Sequence, residues 1–143
     1  MIAKEETPVA LIGVQSADIE EVWPSIVHYV RKTLEYCDGK YTLASIKQAL
    51  LDKEMQLWIA SQGVNILSYA ITQIVVYPTH KRVCVPFVGG IEMVKWIHFL
   101  NELREWGRYH GCKAIEGYGR PGWEKALADY GYRKVQTVYK TDI

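Results

Sequence analysis

"GCKAIEGYGRPGWEKALADYGYRKV", Gly111 to Val135, changes its pattern three times within one short stretch. Gly111-Cys112 has the form of a helix ending, where glycine takes the left-handed backbone that closes the last turn. "KAIEGY" (Lys113 to Tyr118) then favours an extended strand, and "GRPG" (Gly119 to Gly122) is a turn whose Pro121 presets the backbone angle. "WEKALADYG" (Trp123 to Gly131) spaces its apolar residues for a helix, and "YRKVQTVYKTDI" (Tyr132 to Ile143) is rich in the β-branched and aromatic residues of a closing strand. A strand, a compact helix and a second strand in that order build a cleft beside a sheet.

Reading back from that stretch, Met93, Trp96, Ile97, Leu100, Leu103 and Gly107 mark one face of a helix that Gly89-Gly90 opens and Gly111 ends. Before it, "MQLWIAS" (Met55 to Ser61), "ILSYAITQIVVY" (Ile66 to Tyr77) and "RVCVPFV" (Arg82 to Val88) form a three-stranded meander. Pro86 has no amide hydrogen, so it belongs where that strand lacks a partner on one side, at an edge, a bulge or a splayed gap. At the front, "PVALIGV" (Pro8 to Val14) is a first strand. Ile19, Val22, Trp23, Ile26, Val27, Val30 and Leu34 recur at helical spacing after a capping box of Asp18 and Glu21, with a kink or a late start expected at Pro24. Asp38-Gly39 stops that helix, and Thr42 caps a shorter one carrying Leu43, Ile46 and Leu50. The order β-α-α-β-β-β-α-β-α-β predicts an α+β fold, a mixed sheet with helices on both faces, in a single domain spanning residues 1–143.

Composition excludes several functions. A net charge of +1, from 17 Lys and Arg against 16 Asp and Glu, gives no electrostatic footprint for nucleic acid or an anionic membrane. Cys37, Cys84 and Cys112 are odd in number and lack ligand spacing, so they read as reduced core residues and no metal site is expected. His98 and His110 lie on one helix about 18 Å apart at 1.5 Å per residue, too far to share a metal. No leader or membrane span is legible in the apolar pattern, and a cytoplasmic location is expected.

The element order, with "GGIEMVKWIHFLNELREWGRYHGCKAIEGYGRPGWEKALADYGYRKV" in the second half, resembles the GCN5-related N-acetyltransferase (GNAT) superfamily. That resemblance implies a sheet whose two central strands splay apart, acyl-CoA lying in the gap, and its pyrophosphate held on backbone amides between the fourth strand and third helix. Carried onto this chain, the cofactor residues are Val85, Phe87, Val88, Gly89, Gly90 and Ile91, with Arg120 beside the cleft. Tyr130-Gly131-Tyr132 matches the family's leucine-glycine-phenylalanine ending, and the position where many members carry a tyrosine general acid falls on Leu127. The segments "LWIA", "ITQIVVYP", "GG…W", "GC" and "GRPGW…L…YGY" look more closely like GNAT-like proteins encoded in tailed-phage and prophage genomes, which would place this protein in the bacterial host cytoplasm.

The loop departs from the family pattern. Only the pair Gly89-Gly90 remains of it, and Glu92 brings a carboxylate toward the expected phosphate. Glu116, on the strand lining the gap, is the candidate general base for a substrate amine, weighed against a salt-bridged strand glutamate. Arg120 suits a phosphate or carboxylate, or else holds its turn. Trp123 packs under the turn or walls a pocket, and Tyr118, Tyr130 and Tyr132 could replace the absent acid. The expected activity is acyl-CoA-dependent transfer to an amine or protein acceptor. The alternative is a non-catalytic binding protein that uses the same fold to hold a phage or host protein.

Overall fold

The computed structural model describes residues 6–143. Its elements run β1 (Val9–Val14), α1 (Ile19–Leu34), α2 (Leu43–Leu51), β2 (Gln56–Gln62), β3 (Asn65–Val76), β4 (Lys81–Gly90), α3 (Leu100–Tyr109), β5 (Ala114–Gly117) and α4 (Glu124–Ala128). The strands lie in the order β1-β2-β3-β4-β5, antiparallel except for the parallel pair β4 and β5. The mixed α+β sheet is therefore present.

Strand alternation sends apolar side chains to both faces. On one face Leu57, Ile59, Tyr69, Ile71 and Phe87 bury themselves against Ile19, Ile26 and Val30 of α1 and Ile46 and Leu50 of α2. On the other, Ala60, Leu67 and Trp96 gather Val88, Phe99 and Trp123, while Trp58 meets Trp106 of α3 edge to face at 5.3 Å. Gly107 lets α3 approach β4 closely, since a Cβ there would lie 2.7 Å from a Val83 methyl.

Several local expectations hold. Thr42 caps α2: its hydroxyl accepts from the Ser45 amide at 3.0 Å, and the Thr42 amide donates to the Ser45 hydroxyl at 2.9 Å. Asp38 and Gly39 both take positive φ where α1 ends, with angles of 54° and 72°. Others are corrected. Asp18 makes no side-chain cap; a 3-10 turn at Ser16–Asp18 leads into α1 instead. The helix runs through Pro24, which sits with Glu20 on the exposed side, where the unbonded Glu20 carbonyl can be hydrated.

The largest corrections concern Gly89-Gly90 and the chain after α4. The two glycines do not break the chain into a helix: β4 continues through them, paired Gly89 with Tyr69 and Gly90 with Ser68. Glu92 then takes a left-handed φ of 54°, and Met93–Lys95 and Ile97–Phe99 form 3-10 turns, so α3 opens only at Leu100. Trp123 to Gly131 shrinks to a 3-10 turn and the five residues of α4. Tyr132 to Ile143 joins no ladder, so the expected closing strand is absent. β-propensity describes how a residue fits a pleated surface, and without a neighbouring strand it builds nothing.

Candidate active site

The gap opens where β5 leaves β4. Pairing between them covers Arg82–Ala114, Val83–Ile115, Cys84–Glu116 and Val85–Gly117, and ends there. On the opposite side the β3 register slips between Ile71, paired with Phe87, and Gln73, paired with Cys84, leaving Val85 and Pro86 facing Thr72 as a bulge. Pro86 therefore lies in the bulge and beyond the reach of β5, unpaired on both sides as a residue without an amide hydrogen requires.

Above the bulge the ladder alternates. The Ile91 amide donates to the Leu67 carbonyl at 2.8 Å, which makes those two a bonded pair. Bonded and non-bonded pairs alternate in an antiparallel ladder, so Gly89 and Phe87 also turn their polar groups toward β3. Val88 turns its N–H and C=O the other way, into the space β5 has vacated. Gly90, opposite Ser68, falls in the other non-bonded pair, so Val88 in mid-strand and Gly90 at the strand end both turn their backbone groups away from β3.

The glycines serve packing. A Cβ on Gly90, at φ +148°, would lie 2.3 Å from the Leu67 carbonyl oxygen and 2.5 Å from Ser68 Cβ. One on Gly89 would meet the Thr33 hydroxyl at 2.9 Å and the Tyr69 ring at 3.3 Å. The Ile91 amide is already spent, and the Glu92 carboxylate is 3.0 Å from Lys95 Nζ, which also holds Glu6 at 2.9 Å. Glu92 is thereby neutralised beside the strand end. Trp96 donates from its indole to the Ile91 carbonyl at 2.7 Å and packs against Trp123, ring centres 6.3 Å apart.

On β5, Glu116 is engaged at both oxygens. Tyr77 donates its hydroxyl to one at 2.8 Å, and Arg82 donates to the other at 3.0 Å. Arg82 Nε also donates to His80 Nε2 at 2.7 Å, which fixes that nitrogen as an acceptor and leaves the ring proton on Nδ1, facing the Thr79 hydroxyl at 2.8 Å. Donating to Glu116 holds the Tyr77 phenol above its usual value, because ionising it would set two anions together. Neighbouring Cys84, then burial, then Glu116 keep the Tyr118 phenol protonated in the same way, and Tyr41 adds to it. Tyr41 packs edge-on to Phe87 at 4.9 Å, bringing the α1–α2 loop to the same side of the gap. Sequence reading missed Tyr77 and Arg82, which reach Glu116 only through the pairing of β4 with β3 and β5, and Tyr41, which the α1–α2 loop brings against Phe87.

Arg120 stands 4.1 Å over the Tyr36 ring, both at the surface. Leu127 is half-buried on α4, and Tyr132 encloses its hydroxyl without a hydrogen-bond partner, its pKa raised by burial. Among the described residues no cluster of His, Cys, Asp or Glu is placed to hold a metal, and no helix is long and apolar enough to cross a membrane.

Burial, then Glu116, push the Cys84 thiol up to about 11. At pH 8 only about one molecule in a thousand then carries the reactive thiolate there. A thiol reagent at pH 8 should leave Cys84 unmodified in the folded protein and label it fully in urea, with peptide mass mapping as the readout. Fast labelling of Cys84 without urea would contradict this environment.

No family model matches the chain, and no curated protein does. Solved structures do. A probable acetyltransferase superposes with a TM-score of 0.70 at 15% identity, covering 94% of this chain and 97% of its own. An aminoglycoside acetyltransferase from an uncultured soil metagenomic sample, in complex with sisomicin, gives 0.67 at 7%, with 94% and 97% covered. A GNAT family acetyltransferase of Staphylococcus aureus gives 0.66 at 11%, with 95% and 99% covered. At these identities the likeness establishes the fold, that of the acyl-CoA N-acyltransferases, over nearly the whole length of each chain.

Proposed function

We propose that this protein is an acyl-CoA-dependent N-acyltransferase that acylates an amine on a small molecule or a protein. The observation that carries the reading is the β4 edge: β5 departs after Val85, Pro86 sits in a bulge, and Val88 presents an unpaired N–H and C=O to the gap. Those groups match the amide-bearing arm of an acyl-CoA, which would pair with the edge as an added strand does. The fit lies along the edge beyond Val85, at Val88; the Gly89 and Gly90 contacts and the spent Ile91 amide do not make the expected phosphate cradle, and Arg120, lying over Tyr36, would be a cation for a phosphate at the mouth. When bound, acetyl-CoA would supply an activated thioester carbonyl. Glu116 orients the attacking amine and takes its proton, directly or through water, while Arg82 and Tyr77 fix the carboxylate in place. Tyr118, which keeps its proton, is the donor for the departing sulfur in place of the acid that Leu127 cannot be. The finer likeness to phage and prophage GNAT-like proteins, and with it a host-cytoplasmic location, rests on the sequence segments alone.

The test is calorimetric titration of acetyl-CoA into the protein and into Val88→Pro. That change deletes the gap-facing amide without removing a bond to β3, so binding should weaken at least tenfold, roughly the worth of one well-made hydrogen bond. Val88→Ala, which keeps the amide, should stay within about threefold of the parent on the same scale. Equal weakening by both variants would place the ligand on the Val88 side chain and remove this reading of the edge. A second reading, a non-catalytic binding protein for a phage or host partner, is favoured by the missing phosphate cradle. Absence of any acetyl-CoA or CoA binding at millimolar concentration would select it.

A further inference from the structure

A guanidinium held at one nitrogen swings about its stem, and one held at two is fixed in its plane. Arg82 is held at two. Its Nη1 donates to Glu116 Oε2 at 3.0 Å, and its Nε donates at 2.7 Å to Nε2 of His80, in the turn between β3 and β4. The ion pair is partly buried, with the Arg82 and Glu116 side chains 32% and 23% exposed, so water does not simply replace a lost partner. Thr79 lies 2.8 Å from the His80 Nδ1, and Tyr77 stands beside the ring with centres 6.1 Å apart, its own hydroxyl on Glu116. Lys81 turns away toward Gly111, where a Cβ would lie 3.5 Å from its ammonium. The imidazole therefore faces Tyr77 and Thr79 of its own turn and Arg82 of β4, and through Arg82 it reaches Glu116 of β5.

The bond from Arg82 depends on a lone pair. A second proton on the ring goes to Nε2, uses up that pair, and sets one N–H against another with a cation on each side. Imidazole is the side chain that changes charge between about pH 5 and 8. We propose that His80 is a positioning residue for Glu116: its neutral ring fixes Arg82 and thereby the carboxylate, and protonating the ring frees Arg82 to swing and takes the carboxylate with it. The site is thus set above neutrality and loosened in mild acid. The consequence for acyl transfer rests on the acyltransferase reading, whereas the consequence for Arg82 does not.

Nitrogen-resolved NMR and turnover of the full chain test it, with two variants. His80→Leu removes the acceptor and His80→Gln offers an amide oxygen in its place; both keep the backbone carbonyl that accepts from the Tyr77 amide at 2.9 Å. At about pH 8 the His80 ring should carry its proton on Nδ1. Between about pH 8 and about pH 5 the Arg82 Nε nitrogen signal should move in step with that ring in the parent and hold still in His80→Gln. In turnover at about pH 8, His80→Leu should lower kcat about tenfold with the KM for acetyl-CoA within about threefold, and His80→Gln should recover most of the loss. A ring protonated on Nε2 at the upper pH, an Arg82 signal that ignores the ring's titration, or an equal loss of kcat in both variants would each overturn the proposal. A protein that transfers no acyl group in any form would remove the acyltransferase reading, and the two NMR results would then decide the role of His80 by themselves.

Discussion

Gly90→Val should unfold or precipitate the protein, with a loss on the order of 3–5 kcal/mol from overpacking and backbone strain together. The residue holds φ at +148°, where an L side chain is strained whatever the space, and its Cβ would drive 2.3 Å from the Leu67 carbonyl and 2.6 Å from Ser68 Cα. Both obstacles are β3 backbone, which cannot swing aside as a flexible side chain can. At this chain length the melting temperature should fall by about 10 °C or more, measured by circular dichroism. Gly122→Ala is the matched control: a Cβ added there would meet nothing within 4 Å, and the melting temperature should stay within about 2 °C of the parent. A Gly90→Val protein that melts with the parent would show that the strand end is not held against β3.

Glu116→Gln should lower the rate of acyl transfer by about 10² to 10⁴, the usual worth of a positioned proton acceptor, while changing stability by no more than about 1 kcal/mol. The two readouts separate two roles for the same side chain. Glutamine keeps the size: its amide oxygen can accept from Arg82 while its NH2 group donates to the Tyr77 hydroxyl, so the local geometry is largely preserved. Its amide oxygen cannot take a proton. Arg82→Met completes the test by freeing the carboxylate without deleting it; the rate should fall through misplacement, with a change in the pH profile that the glutamine variant lacks. If Glu116→Gln transfers acyl groups within threefold of the parent, the carboxylate belongs to the Arg82 pair alone and another group accepts the proton.

The parts of the fold legible in the sequence were those where one residue's chemistry leaves few options. Pro86 is the best case: lacking a donor, it had to lie off the ladder, and both the bulge and the departing β5 meet at that point. Thr42 and Asp38-Gly39 were similarly decided by local hydrogen bonding and backbone angle. Gly89-Gly90 was misread as the opening of a helix, because paired glycines before an apolar helical period look alike whether they break a strand or let two backbones approach. The contacts that decide between those readings come from Leu67, Ser68, Thr33 and Tyr69, all distant in sequence. For the same reason the Tyr77, Arg82 and Glu116 group could be read only at Glu116, since its other members arrive from β4 and the turn before it.

The strand order also sets the course of folding. β2, β3 and β4 follow one another through the turns at Gly63-Val64 and Tyr77–His80, so their ladders close over short loops at small entropic cost. β1 must be brought back to β2 across both α1 and α2, and β5 returns to β4 across the 3-10 turns and α3. The meander is thus the natural nucleus, with the two outer strands docking after it. Because the gap is bounded by β4 on one side and β5 on the other, its two walls belong to different stages of assembly. A chain with an intact meander can already hold the Pro86 bulge, yet it has no site until the last, four-residue strand arrives.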